Sequence, residues 1–156
     1  MKAIFTTLFL IAGLVSLAQR KLPPIKHKPK LDTMMIKRTG ADAYGMKKYV
    51  MCFLKTGPNK SLSADSTKKI FATHLKNIQS LTNKGKLVLA GPFIDGTWLE
   101  GIFIFNVETV EEAQKLIDTH PGVQAGFFSV ELRPWYGSAV LMDVPLLHTK
   151  VQAKSF

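Results

Sequence analysis

Four histidines and one cysteine are the side chains of this 156-residue chain best suited to proton transfer, metal ligation or nucleophilic attack. His74 recurs with Ile70, Phe71, Leu75, Ile78 and Leu81 at spacings of three and four, which sets it on the apolar stripe of an amphipathic helix. An imidazole titrates near neutrality and suits general acid or base work. The same spacing also describes a core or rim histidine bonded to a backbone carbonyl, because a polar residue on an apolar stripe is most often simply buried. His120 stands before Pro121 at the end of a second helical stretch. The negative end of that helix would favour its charged form, and the residue reads either as a partner to His74 or as a helix-terminus cap. His27 and His148 have no chemical neighbours in sequence. Cys52 lies inside an apolar run, 49–54, and reads as a buried small hydrophobe rather than a nucleophile.

Other chemistries lack their spacing. The chain has no HxH, no HExxH and no cysteine pair, so neither a metal site nor a disulfide framework is expected, and no cofactor is implied. There is no G-x-S-x-G and no phosphate-cradling glycine loop. Gly91-Pro92 reads as a turn placed to wall a pocket for a small molecule. Phe103 and Phe105 on a strand suggest a base-stacking platform, but two features of charge and targeting exclude nucleic acid.

The first is where the charge sits. The formal charge is +10, yet residues 19–48 supply +7 of it and residues 49–156 only +2. The basic character belongs to a leader, and the folded part is close to neutral. The second is residues 1–18, which read as a secretory signal: Lys2 as the positive region, an apolar run over 3–15, then Ser16-Leu17-Ala18 with small residues where a signal peptidase cuts. Cleavage after Ala18 sends the protein to the periplasm or outside the cell, with an uncleaved anchor as the alternative. Residues 19–45, with Pro23, Pro24, Pro29 and many lysines, read as a linker or poorly ordered arm. Contact with a membrane is expected only through the signal segment or weakly through this arm.

The elements that must position the histidines start at Met46. Residues 49–54 form an unbroken apolar strand pattern, covered on both faces. Ser61, Ser63, Asp65 and Ser66 are candidate caps for the His74 helix, which ends at Asn83-Lys84-Gly85. Residues 87–90 and 101–107 read as antiparallel strands. Thr109 and Glu112 have capping-box spacing ahead of a helix carrying Val110, Ala113, Leu116 and Ile117, which Pro121 halts. A last strand over 127–132 alternates Phe128, Val130 and Leu132 with polar residues, and 133–136 closes it. In the tail, 139–142 is expected to pair as an edge strand.

Strand, helix, strand, strand, helix, strand is the split βαβ, ferredoxin-like order of an α+β fold: a four-stranded antiparallel sheet with two helices on one face. Several strands are apolar on both sides, and two helices shelter only one. The simplest cover for the other is a second copy, which predicts a homodimer by sheet-to-sheet packing.

From about Lys47 to Leu141 the chain resembles the YCII-related (YciI-like) family of small dimeric α+β barrel proteins. The resemblance rests on Lys48-Tyr49-Val50, His74-Leu75, Gly85-Lys86-Leu87 leading to Ala90-Gly91-Pro92-Phe93, Glu111-Glu112-Ala113, Pro121 followed by Ala125-Gly126, and Glu131-Leu132-Arg133-Pro134-Trp135. It implies the same fold, a sheet-packed dimer, and a histidine–aspartate pair at a pocket doing acid–base chemistry of lyase or isomerase type. His74 matches the family histidine. The aspartate position, directly before Pro121, holds His120 instead, and Asp118 is two residues off the motif. The boundaries expected are signal 1–18, arm 19–45, YCII-like domain 46–141 and tail 142–156. Two functions follow: an exported small-molecule enzyme with His74 as general acid or base and His120 as its partner, or a non-catalytic ligand-binding dimer that has lost the pair.

Overall fold

The computed structural model describes residues 30–154, so the expected signal and the arm up to residue 29 lie outside the described residues. One antiparallel sheet is formed by β1 (Met46–Thr56), β2 (Leu87–Pro92), β3 (Leu99–Phe105) and β4 (Phe128–Ser138), in the order β2-β3-β1-β4. With α2 (Ala64–Asn83) after β1, and α3 (Val110–Ile117) and the single turn α4 (Pro121–Gln124) between β3 and β4, the ferredoxin-like α+β fold is present.

Local chemistry sets the helix ends. Ser63 caps α2 by accepting the Ser66 amide at 3.2 Å. The expected capping box at α3 forms in both directions, between Thr109 and Glu112. One face of the sheet (Val50, Cys52, Leu54, Leu87, Phe103, Phe105) packs against Leu81 of α2 and against Ala113 and Ile117 of α3. Each large side chain sheltered there contributes about 2 kcal/mol.

Three expectations need correction. The last strand does not stop at Leu132; β4 runs on through Pro134 to Ser138, eleven residues along β1. An edge strand tolerates a proline, because the missing N–H is one that faces away from the sheet. The tail over 139–142 is not an edge strand. Ala139–Asp143 is a 3-10 helix, followed by α5 (Val144–His148) with a proline in its first turn. Its Leu141 and Met142 turn over the second sheet face and pack on Tyr49, Val88 and Ile104. The chain therefore covers part of that face itself, and less is left for a second copy than the strand patterns suggested. The part that stays accessible carries half-buried Met51, Phe53 and Ile102 beside Trp98, which is 65% exposed.

The arm is also shorter than expected. The compact unit begins at Asp32. Asp32 accepts the Met35 amide at 2.9 Å and opens α1 (Thr33–Thr39), and Gly40 closes it at φ 71°, the left-handed conformation that favours glycine. Arg38 of α1 pairs with Asp143 at the end of the 3-10 helix at 2.9 Å.

Trp135 lies flat over Gly137, where an added Cβ would collide with the indole ring, whereas at Gly91 a Cβ would meet open space. Gly137→Ala is expected to lower stability by about 1–3 kcal/mol through overpacking. Gly91→Ala is expected to stay within about 0.5 kcal/mol of the parent. Urea midpoints of the two variants check this.

Candidate functional site

His74 sits in the third turn of α2, on the stripe that meets the sheet, and is 8% exposed. The start of α2 is held by its preceding loop. Gly57 N–H donates to the Phe127 carbonyl at 2.8 Å, Asn59 N–H to Gly126 at 3.0 Å, and Asn59 Nδ2 to Ala125 at 3.0 Å. These bonds clamp the α2 entry to the segment that follows α4.

His120 does not cap the end of α3; Asp118 does. Pro121 restricts the residue before it to extended backbone. His120 accordingly lies at φ −75°, ψ 123°, which makes it the N-cap of α4. Its Nδ1 accepts the Gly122 amide at 3.2 Å, and its carbonyl accepts the amides of Val123 and Gln124. Gly122 has no room for a side chain, since a Cβ there would lie 2.7 Å from the Phe128 ring and 3.2 Å from His120 Cε1. His120 is fully buried.

The two histidines meet: His74 Nδ1 and His120 Nε2 are 2.8 Å apart, with the rings edge to face. Phe71, Phe103 and Phe128 surround His74 at centroid distances of 5.5–5.9 Å. Phe71 is 52% exposed and forms the outer side of this box. Burial lowers the proton affinity of His74. Burial and then the charge of His74 push that of His120 down to about 4, opposite in direction to the helix-terminus effect expected from sequence. The pair is neutral at neutral pH.

His74 Nε2 has no hydrogen-bond partner among the described residues. Among the described residues, Asn77 Oδ1 is the only buried side-chain polar atom without one, so His74 Nε2 touches solvent. Sequence reasoning missed Asn77, one turn beyond His74; its place three residues on along the helix was the available signal.

Other candidates lie elsewhere. Gly91 and Pro92 end β2 opposite Ile102 and Gly101, and neither lines a described cavity. One cavity, of about 400 Å³, is bounded by Lys47, Lys86, Asn106, Glu108 and Glu112. Another, of about 340 Å³, lies on the second sheet face between Phe53, Trp98, Leu99 and the Lys55–Glu131–Arg133 cluster. Neither touches a histidine. The Asp118 carboxylate accepts from Gln114 at 2.6 Å rather than serving His74. Burial pushes the Cys52 thiol up to about 12, which makes it inert. His148 ends α5 on the surface, and His27 lies outside the described residues. Among the described residues no three His, Cys, Asp or Glu side chains group in a way that could hold a metal ion, and no helix is long and apolar enough to cross a membrane.

A family model described as the YCII-related domain matches residues 49–136. Among solved structures, 5-chloro-2-hydroxyhydroquinone dehydrochlorinase from Burkholderia phenoliruptrix AC1100, in complex with 2,5-dihydroxybenzoquinone, is similar at 19% identity with a TM-score of 0.43, covering 55% of this chain and 92% of its own. No curated protein matches the chain.

Folding lowers the proton affinity of His120 from 6.5 to about 4. Between those values the unfolded chain binds a proton that the folded chain refuses. The contribution of His120 is therefore complete above its unfolded pKa and is lost as the pH falls toward the folded one. His120→Asn keeps an N-cap side chain but does not titrate. Urea midpoints at about pH 7 and about pH 4.5 should fall less for His120→Asn than for the parent, because that proton uptake is absent.

Proposed function

The chain belongs to the YCII-related domain family, and from that premise we propose that it is an exported homodimer that binds a small molecule against the outer nitrogen of His74. The observation that carries this reading is the buried His74–His120 pair. A polar pair set among phenylalanines gains little stability over apolar packing of the same volume, so its presence is best accounted for by a ligand. With both rings neutral and the aspartate position occupied by a histidine, the reading favoured is a binding site with no general base of the family type.

Acid–base catalysis by His74 is the second reading. It is supported by the contact of His74 Nε2 with solvent beside half-exposed Phe71. Native mass spectrometry of the purified full-length protein separates the two. A small molecule retained unchanged after incubation, and lost in His74→Ala, supports binding. Turnover in a substrate screen that His74→Ala abolishes supports catalysis. A His74→Ala variant that behaves as the parent in both assays overturns the site.

The dimer rests on the accessible part of the second sheet face. Phe53, Trp98 and Leu99 there adjoin Lys55, Glu131 and Arg133, a patch carrying both charge signs that can meet its own copy across a two-fold axis. Sedimentation should give a dimer at micromolar concentration, and Phe53→Glu should shift it to monomer; a parent that sediments as a monomer would contradict this. Export rests on the pattern of residues 1–18, and the mass of the mature protein should correspond to a chain starting at Gln19.

A further inference from the structure

We infer that the Gly122 amide fixes the proton order of the whole pair, so that His74 presents an N–H donor, and not a lone pair, to whatever binds at its outer nitrogen. A backbone amide only donates. Gly122 N–H points at His120 Nδ1, which must therefore be the lone-pair nitrogen of that ring. A neutral imidazole has one protonated nitrogen, so the proton of His120 is on Nε2. That N–H faces His74 Nδ1 at 2.8 Å and donates to it. His74 Nδ1 is then a lone-pair nitrogen too, and the proton of His74 is on Nε2, the atom that touches solvent. Each link follows from the one before, and the line runs in a single direction from the Gly122 amide to the surface.

The consequences are chemical. For His74 to offer a lone pair at Nε2, its proton must move to Nδ1, where the Nε2–H of His120 already points. Two hydrogens cannot lie between nitrogens 2.8 Å apart. Moving the second proton to His120 Nδ1 sets it against the Gly122 amide, which the close packing of Gly122 on Phe128 holds in place. A cationic His74 meets the same obstacle. The site therefore selects a small molecule with an acceptor oxygen, a carbonyl, carboxylate or phenolate, on a body that packs against Phe71.

The proton order rests on the pair alone, and the ligand class rests also on the reading of this place as the small-molecule site. Long-range ¹H–¹⁵N correlation on the full-length protein near neutral pH tests the first. Nδ1 of both His74 and His120 should resonate as unprotonated and Nε2 of both as protonated; a protonated Nδ1 on His74 or His120 overturns the inference. In His120→Asp the carboxylate accepts from both sides, so His74 should switch to the Nδ1–H form. If this variant folds and His74 keeps its proton on Nε2, the Gly122–His120 relay is not what fixes it, and the inference fails. Benzoate and benzylamine at millimolar concentration test the second. Benzoate should shift the His74 Nε2–H resonance and benzylamine should not. If the proton order holds but benzoate leaves that resonance unmoved, the ligand class is wrong while the relay stands.

Discussion

The amide of Gly122 pointing at Nδ1 of His120 is the contact from which the rest of the site is built. Pro121 makes it possible by forcing extended backbone at His120 and starting α4 immediately afterwards, with no amide proton of its own to satisfy. The absence of a side chain at position 122 lets the turn close against the Phe128 ring. With one nitrogen occupied by the amide, His120 has one direction left, and α2 places His74 in it. The loop bonds between Gly57 or Asn59 and residues 125–127 keep α2 and the α4 segment in register, so the 2.8 Å contact is a property of the framework and not of two mobile side chains.

The energetics explain why such a pair is tolerated in a core. A buried polar group left without a partner costs about 1–3 kcal/mol. Here His120 satisfies both of its nitrogens, and His74 satisfies one while the other reaches water. The cost that remains is the loss of the charged forms, which is why the proton affinities fall. A histidine–aspartate pair in this place would keep a charge and leave its histidine a free lone pair. The histidine–histidine pair keeps neither. With the proton order inferred above, the outer nitrogen of His74 is a donor.

Much of this fold is legible in the amino-acid sequence, because its signals are local and strong. The apolar run 49–54, the spacing of Ile70 to Leu81, the Thr109–Glu112 box and the Pro121 stop each act within a few residues, and together they gave the order of elements. The structure departs from the sequence pattern where distant contacts decide. Pro134 looked like a strand end because nothing in sequence says that β4 is an edge strand. The apolar residues 139–142 looked like a strand because their destination, Tyr49, Val88 and Ile104 on the far face, is brought together only by the fold. The Asp32 and Gly40 caps of α1 were hidden among prolines and lysines. Of the site, His74 and His120 were readable as candidates, and their pairing only through the family resemblance, since 46 residues separate them and no local signal joins them. The place of Gly91 and Pro92 at a strand end, away from both described cavities, needed the topology.

The folded unit from Asp32 onward carries a formal charge of +4, and the least satisfied polar atoms among the described residues, His74 Nε2 and Asn77 Oδ1, lie three residues apart on α2, whose Phe71 is half exposed. Whether these histidines act as one unit can be read from the scalar coupling between ¹⁵N nuclei across a hydrogen bond. A resolved coupling between His120 Nε2 and His74 Nδ1 at neutral pH, persisting as the solution is acidified through the range where a free imidazole would be protonated, is the predicted result. No coupling, with the two rings each titrating as independent, solvated histidines, would contradict the account.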